Sequence, residues 1–106
     1  MELSVDVINK AFAKEKVWET GETENFTFGD WELTLRKEEE LYLPYTFSVS
    51  GERKNSNETW RRRYTSLERA FLHILNNFNE NARIENKYKT LSEAIYNDKR
   101  LRGEML

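Results

Sequence analysis

Apolar and polar residues alternate through the middle of the chain, and this alternation predicts strands. A period of two residues is typical of strands that bury one face and expose the other. The alternating stretches are residues 26–28, 31–36, 45–50 and 58–64. Gly29-Asp30 separates the first two and suits a tight hairpin turn. We therefore predict an antiparallel meander of three or four strands within residues 26–64.

Two other stretches have the spacing of amphipathic helices. In the longer one, apolar residues recur every three or four positions: Leu67, Ala70, Phe71, Ile74, Leu75 and Phe78. It predicts a main helix over residues 66–82, with Thr65-x-x-Glu68 as a capping box at its start. Near the N-terminus, Val5, Ile8 and Phe12 predict a helix over residues 4–16, which Ser4 would cap.

A second helix-start pattern follows the main helix. Thr90-x-x-Glu93 is again a capping box, and Leu91 and Ile95 provide apolar positions after it. We predict a short helix over residues 91–100 and a tail over 101–106. The polar, acidic residues 17–25 predict a loop from which Trp18 folds back onto the core. Together these elements indicate a single α+β domain whose long amphipathic helix packs on one face of the sheet.

Composition restricts the function more than it identifies it. The 106 residues include no cysteine, one histidine and four scattered glycines that form no nucleotide-binding loop. Residues 1–40 hold 5 basic and 11 acidic groups, whereas residues 41–106 hold 12 basic and 8 acidic ones. The single histidine, His73, is predicted to pack at the edge of the main helix. We therefore expect no enzyme activity, cofactor or metal, and a cytoplasmic location without a membrane segment.

The most distinctive segment is Trp60-Arg61-Arg62-Arg63-Tyr64, which the alternation assigns to the fourth strand. Arginine occurs on both faces of that strand, so we predict an edge strand or an exposed sheet face. With Arg53 and Lys54 nearby, these residues are candidate contacts for nucleic acid or another partner. The arginines would contact phosphates while the aromatic rings stack on unpaired bases.

The alternative interpretation is a solvated face. Arginine stems would then cover aromatic surface, and their guanidinium groups would pair with Glu32, Glu38 or Glu58.

Acidic residues form a second candidate surface, predicted to lie in solvated loops and turns. Its members are Glu19, Glu22, Glu24, Glu38, Glu39 and Glu40. Their carboxylates would substitute for the phosphates of a nucleic acid when bound to a protein partner. The consecutive glutamates 38–40 lack the spacing of a calcium loop.

The order helix, strands, helix is similar to that of the double-stranded RNA-binding domain. That family's last helix begins with a lysine pair, whereas this chain has Thr65-Ser66-Leu67-Glu68, so its binding residues do not carry over. Residues 31–95 resemble small proteins of bacteriophages and mobile elements in the Tyr64-x-Ser66-Leu67-Glu68-x-Ala70 helix start after a meander. The overall organisation also resembles small anti-CRISPR inhibitors.

These resemblances imply a small phage or mobile-element binding protein in a bacterial host cell. Its partner would be a host protein, in specific form a defence nuclease that it inhibits. One alternative is a nucleic-acid-binding accessory protein that uses the arginine strand. The other is a homodimeric structural protein that pairs its edge strand. A monomer and a homodimer both remain open.

Overall fold

Three helices and four strands form the fold in the computed structural model, which describes residues 1–39, 41, 44–78 and 82–101, and only the backbone of 82–85 and 98–101. The helices are α1 (Val5–Ala13), α2 (Leu67–Asn77) and α3 (Ala82–Leu101). The strands are β1 (Thr23–Phe28), β2 (Trp31–Lys37), β3 (Phe47–Arg53) and β4 (Thr59–Tyr64). This arrangement confirms the predicted α+β class.

The four strands form an antiparallel meander in the order β1-β2-β3-β4. β1 and β2 pair from Thr23 opposite Arg36 to Phe28 opposite Trp31, which leaves Gly29-Asp30 as a two-residue turn. Gly29 has a φ of 59°, a left-handed conformation that glycine adopts without a steric cost. The predicted meander and its first hairpin are therefore confirmed.

Only one face of the sheet is apolar. Paired residues share a face, so Phe26, Leu33 and Gly51 lie side by side and are buried. Helix α2 packs against β3 and β4 on this side, and α1 packs on α2 and α3. The opposite face carries polar residues such as Glu32 and Ser50, which are exposed to solvent.

Aromatic side chains fill the space between the sheet and the helices. Phe71 of α2 is fully buried, with its ring centroid 5.7 Å from that of Phe12 and 6.2 Å from that of Phe26. Trp18 folds back as predicted, packs edge-on against Phe47 at 5.5 Å, and donates its indole N–H to the carbonyl of Ala11. These contacts join α1, α2, β1 and β3 into one core.

The loop predicted over residues 17–25 is too long, because β1 begins at Thr23. Backbone hydrogen bonds from Gly21 to Lys37 and from Lys37 to Glu22 extend the β1–β2 ladder beyond the apolar residues. The Lys14 ammonium pairs with the carboxylates of Glu22 and Glu24. Lys14 thus neutralises Glu22 and Glu24, two of the acidic residues whose sequence predicted a solvated loop.

The first two helices are shorter than predicted. Helix α1 ends at Ala13 instead of residue 16, because the Trp18 indole occupies the Ala11 carbonyl and the Glu15 N–H bonds to Phe12. Helix α2 ends at Asn77 instead of 82, and residues 79–81 lie outside the described part of the chain.

The cap of α2 also differs from the prediction. Ser66, and not Thr65, is the N-cap residue, with its hydroxyl accepting a hydrogen bond from the Arg69 N–H. Ser66 has the extended backbone typical of this position. The capping-box pattern therefore located the start of the helix to within one residue.

The largest error concerns the last helix, which begins at Ala82 and not at 91. Thr90 lies within α3, where its hydroxyl donates to the Asn86 carbonyl, so it caps nothing. The turn before Leu91 is held by the Tyr88 hydroxyl, which donates to the Asn76 side chain. Docking of this kind stabilises polar helical turns that have little periodicity of their own. Of the predicted tail, Leu101 is helical and 102–106 lie outside the described residues.

We predict that Gly51→Ala destabilises the protein by about 1–3 kcal/mol, the usual range for overpacking a core. A Cβ at Gly51 would lie 2.7 Å from Leu33 Cδ2 and 3.3 Å from Trp31 Cε3, and both side chains are buried. Urea denaturation measures the change, with Ser50→Ala on the open face as the control. Equal stability of the two variants would contradict this account of the packing.

Candidate nucleic-acid or partner interface

Strand β4 is an edge of the sheet, since β3 is its only strand neighbour among the described residues. The Arg53 N–H bonds to the Glu58 carbonyl, and this fixes the alternation of the ladder. Residues 60, 62 and 64 therefore direct their backbone groups towards β3. Thr59 and Arg61 direct theirs outwards. The predicted edge position of the arginine strand agrees with this topology.

The three consecutive arginines of β4 are all exposed and lie on both sides of the strand. Arg61 pairs with Ser50 and Arg63 with Ser48 on the polar face, which is exposed at Ser50 but covered at Ser48, where the exposed fraction is 4%. Arg62 pairs with buried Val49 on the helix side, between Trp60 and Tyr64, and is nevertheless exposed. Together with exposed Tyr45 and Arg69, these arginines form what we call the β4 surface.

Neither Arg61 nor Arg62 makes a close ion pair with the residues that the structure describes. Arg61 Nη2 is 4.0 Å from the Glu38 carboxylate, at the limit of an ion pair, and the Arg61 side chain is 60% exposed. Arg62 has no ion-pair partner among the residues that the structure describes. Guanidinium groups in this condition can bind carboxylates or phosphates in a bidentate manner.

The two rings of the predicted site belong mostly to the core. Tyr64 is 6% exposed. Trp60 is half-buried, with its ring edge-on to His73 at 5.2 Å and to Phe78 at 5.1 Å. The arginines, and not these rings, form the exposed part of the strand.

His73 of α2 connects the helix to β4. Its Nδ1 lies 2.6 Å from the Tyr64 hydroxyl. Burial first, and the nearby Arg62 charge second, lower the pKa of His73 below its ordinary value. Burial raises the pKa of Tyr64 above its ordinary value. Near pH 7 both groups are therefore neutral, and their hydrogen bond carries no charge.

Two grooves adjoin the β4 surface. One, of about 430 Å³, runs between β4 and α2 and is lined by Tyr45, Arg62, Arg69, Leu72, His73 and Asn76, among others. The other, of about 440 Å³, lies between Tyr45 and the three arginines of β4. Both are open grooves that combine positive charge with aromatic surface. They suit an elongated anionic ligand better than an enclosed small molecule.

The structure separates Arg53 and Lys54 from this surface. Both lie at the turn between β3 and β4, where Arg53 Nη1 is 3.2 Å from the Glu58 carboxylate and the Lys54 N–H bonds to Asp30. The solvated-face interpretation thus applies to Arg53, whose charge is paired with Glu58. Of the predicted basic contacts, only Arg61, Arg62 and Arg63 lie together.

The predicted acidic surface is not one patch in the described part of the chain. Glu22 and Glu24 pair with Lys14, and Glu38 is buried, at 4% exposure. Glu19 and Glu39 are exposed, and Glu40 lies outside the described residues. The interpretation of Glu38 as part of a solvated turn is wrong, because its N–H bonds to the Thr46 carbonyl beside β3 and draws the residue into the fold.

Sequence reasoning missed three features of this region. Tyr45 borders both grooves, and His73 bonds to Tyr64 across elements. On the open face, Glu32 lies directly opposite Glu52 in a concavity of about 720 Å³. The polar positions of each strand could have indicated this face, but the register that pairs the two glutamates is not visible in the sequence.

Wider comparisons add no family to this description. No protein-family model, curated protein or solved structure matches the chain. Among the described residues, no group of three or more acidic or histidine side chains is placed to hold a metal ion. None of the described helices is both long and apolar enough to cross a bilayer.

We predict that Tyr64→Phe lowers the free energy of unfolding by about 1 kcal/mol, because it removes the partner of His73 Nδ1. Tyr45→Phe is the matched control and should change stability by less than about 0.5 kcal/mol, since Tyr45 is exposed. Urea denaturation at pH 7 measures both. A Tyr64→Phe protein as stable as the control variant would contradict the importance of this hydrogen bond.

We also predict that His73 titrates below its ordinary pKa of about 6.5. The unfolded chain then takes up the proton first, so stability should fall as the pH decreases from about 6.5 through the pKa of folded His73. Because the chain has one histidine, its imidazole NMR signals report this pKa directly. The Arg62→Gln substitution should raise the pKa of His73, because it removes a nearby positive charge. A midpoint at or above 6.5 in the unaltered protein would contradict the prediction.

Proposed function

We propose that this chain is a non-enzymatic binding protein that contacts an anionic partner macromolecule through the β4 surface. The observation that carries the proposal is the run of three exposed arginines on a strand whose outer edge is unpaired among the described residues. Strand edges attract other chains, and charge on them selects which partner can approach.

The competing explanation for these arginines is that they protect the strand edge against aggregation. A single charge on an edge strand is often enough to prevent edge-to-edge pairing. Here the charges point to both sides of the strand, and Arg69 of α2 adds another beside Arg62 in the same groove. This number of positive charges is more than protection of the edge against aggregation needs. It favours a role in binding a partner.

The proposal includes no catalytic step. The only histidine is bonded to Tyr64 and packed against Trp60, which gives it a structural role between α2 and β4. A general base needs an accessible nitrogen within reach of a substrate proton. The β4 surface offers positive charge and hydrogen-bond donors, which are suited to binding.

A protein of a phage or mobile element that inhibits a host defence nuclease remains our specific form of this proposal. It would bind through β4, and not by mimicking phosphates with its acidic residues. Glu22, Glu24 and Glu38 are engaged within the fold, which leaves Glu19 and Glu39 as the exposed described members of that set.

A nucleic acid is the second candidate partner. Exposed Tyr45 beside the three arginines is the observation in its favour, because a base could stack there while a phosphate binds a guanidinium group. Burial of Tyr64 weakens this alternative, since the predicted stacking required that ring. Homodimerisation through β4 is less favoured, because two antiparallel copies would place arginine against arginine.

We predict that Arg61→Gln/Arg62→Gln weakens polyanion binding at least tenfold at 50 mM salt. Labelled polyglutamate and a single-stranded oligonucleotide, each titrated with the protein at about 50 and 200 mM salt, provide the measurement. Charge-driven binding should weaken with salt.

The control variant Lys10→Gln/Lys16→Gln removes the same charge from two exposed positions on and after α1. It should bind within about twofold of the unaltered protein, on the expectation that only charge at the β4 surface matters. Equal loss in both variants would show a general charge effect, and no binding of either polyanion at 50 mM salt would overturn the proposed function.

A further inference from the structure

We infer, on the basis of the proposed function, that β4 accepts an extended acidic segment of a partner protein as a fifth antiparallel strand. Addition of a strand to an exposed sheet edge is a general mode of peptide recognition, in which backbone hydrogen bonds supply affinity and alternate side chains supply specificity. In β4, the outward backbone groups would form the hydrogen bonds, and the arginine side chains and the adjoining groove would supply the specificity.

The backbone of β4 is prepared for such pairing. The hydrogen bond from the Arg53 N–H to the Glu58 carbonyl sets the alternation, so Thr59 and Arg61 each direct both an N–H and a C=O outwards. At the opposite edge, the N-terminal segment already pairs with β1, where the Leu3 N–H bonds to the Thr27 carbonyl and the Thr27 N–H to Met1. This contact is one isolated parallel bridge, between Glu2 and Thr27, and it covers part of the β1 edge.

The side chains of β4 specify an acidic segment. In antiparallel pairing, a residue opposite Arg61 or Arg63 lies on the same face as that arginine. Glutamate or aspartate at those alternate positions would meet guanidinium groups at cross-strand distance. A basic strand, such as β4 of a second copy, would place positive charge opposite these arginines. This disfavours a second copy of this chain as the occupant.

The intervening residues of the added strand would face the groove between β4 and α2. Its lining includes Leu72 and Tyr45 next to Arg62 and Arg69. Small apolar side chains such as valine suit the half-buried Leu72 and the exposed Tyr45 ring. The structure therefore favours an alternating pattern of acidic and apolar residues over about six positions, the length of β4.

A peptide fits this edge better than a nucleic acid does. Phosphate oxygens only accept hydrogen bonds, so they could pair with the outward N–H groups but not with the outward carbonyls of Thr59 and Arg61. Those carbonyls would then face negative charge. A peptide backbone offers a donor and an acceptor in the same alternation and satisfies both.

The test uses a capped eight-residue peptide in which glutamate alternates with valine. If glutamates lie opposite Arg61 and Arg63, the glutamate N–H groups point to β4 and the valine N–H groups point away. Methylation of the glutamate nitrogens should therefore weaken binding at least tenfold, whereas methylation of the valine nitrogens should leave it within about threefold. The two methylated peptides have equal charge and composition.

A second readout locates the peptide on the protein. On binding, the amides of Thr59 and Arg61 should exchange with solvent at least tenfold more slowly. The Arg62 amide already faces β3 and should change little. Unchanged exchange at Thr59 and Arg61 in a saturated complex would overturn strand addition.

The remaining outcomes separate this inference from the proposed function. Equal binding of both methylated peptides, weakened by Arg61→Gln/Arg62→Gln, would overturn strand addition and leave the β4 surface as an anion site. Tighter binding of a twelve-residue single-stranded oligonucleotide than of the unmethylated peptide at 200 mM salt would also overturn it, in favour of nucleic acid. Absence of binding by peptide and oligonucleotide at 50 mM salt would overturn both.

Discussion

The packing of α2 on one face of the sheet is the interaction on which the other features depend. Phe71 lies at its centre and is fully buried, in contact with Phe12 of α1 and Phe26 of β1. A fully buried phenylalanine contributes about 1.5–3 kcal/mol relative to an exposed one, and it does so here for three elements at once. Because α2 follows β4 after two residues, its position is tied to that strand.

The position of α2 determines which parts of β4 are buried. Trp60 and Tyr64 point towards the helix, where they meet His73, and Phe78 after the helix packs against Trp60. Arg62 lies between them on the same face, lines the groove between β4 and α2, and is exposed. The rings of Trp60 and Tyr64 thus anchor the strand to the helix. The arginines of the strand and its outer backbone edge remain exposed to solvent.

Regular periodicity accounts for the parts of the fold that could be predicted. The period of two along residues 31–36 and the helical spacing from Leu67 to Leu75 each reflect one buried face, and local sequence is enough to show it. At the start of β1, Glu22 and Glu24 pair with Lys14, and in the early part of α3 the Tyr88 hydroxyl donates to the Asn76 side chain. Such contacts join residues distant in sequence, so no local pattern indicates them.

The candidate site was predictable in charge but not in its geometry. Arginine on both faces indicated an edge strand, and the topology agrees. The sequence could not show that Tyr64 is buried against His73, or that Glu38 turns into the fold while Arg61 remains largely exposed. The burial of Tyr64 reflects the packing of α2 on β4, and that of Glu38 reflects its backbone pairing with Thr46, so both are tertiary outcomes.

Local charge, and not net charge, governs what the β4 surface can bind. The chain as a whole carries a formal charge of −2, which by itself would disfavour an anionic partner. Salt limits the reach of exposed charges to about 8–10 Å, so distant acidic residues contribute little at β4. Glu22 and Glu24 are further offset by Lys14. The slightly acidic remainder of the chain therefore does little to oppose the approach of an anionic segment to Arg61 and Arg62.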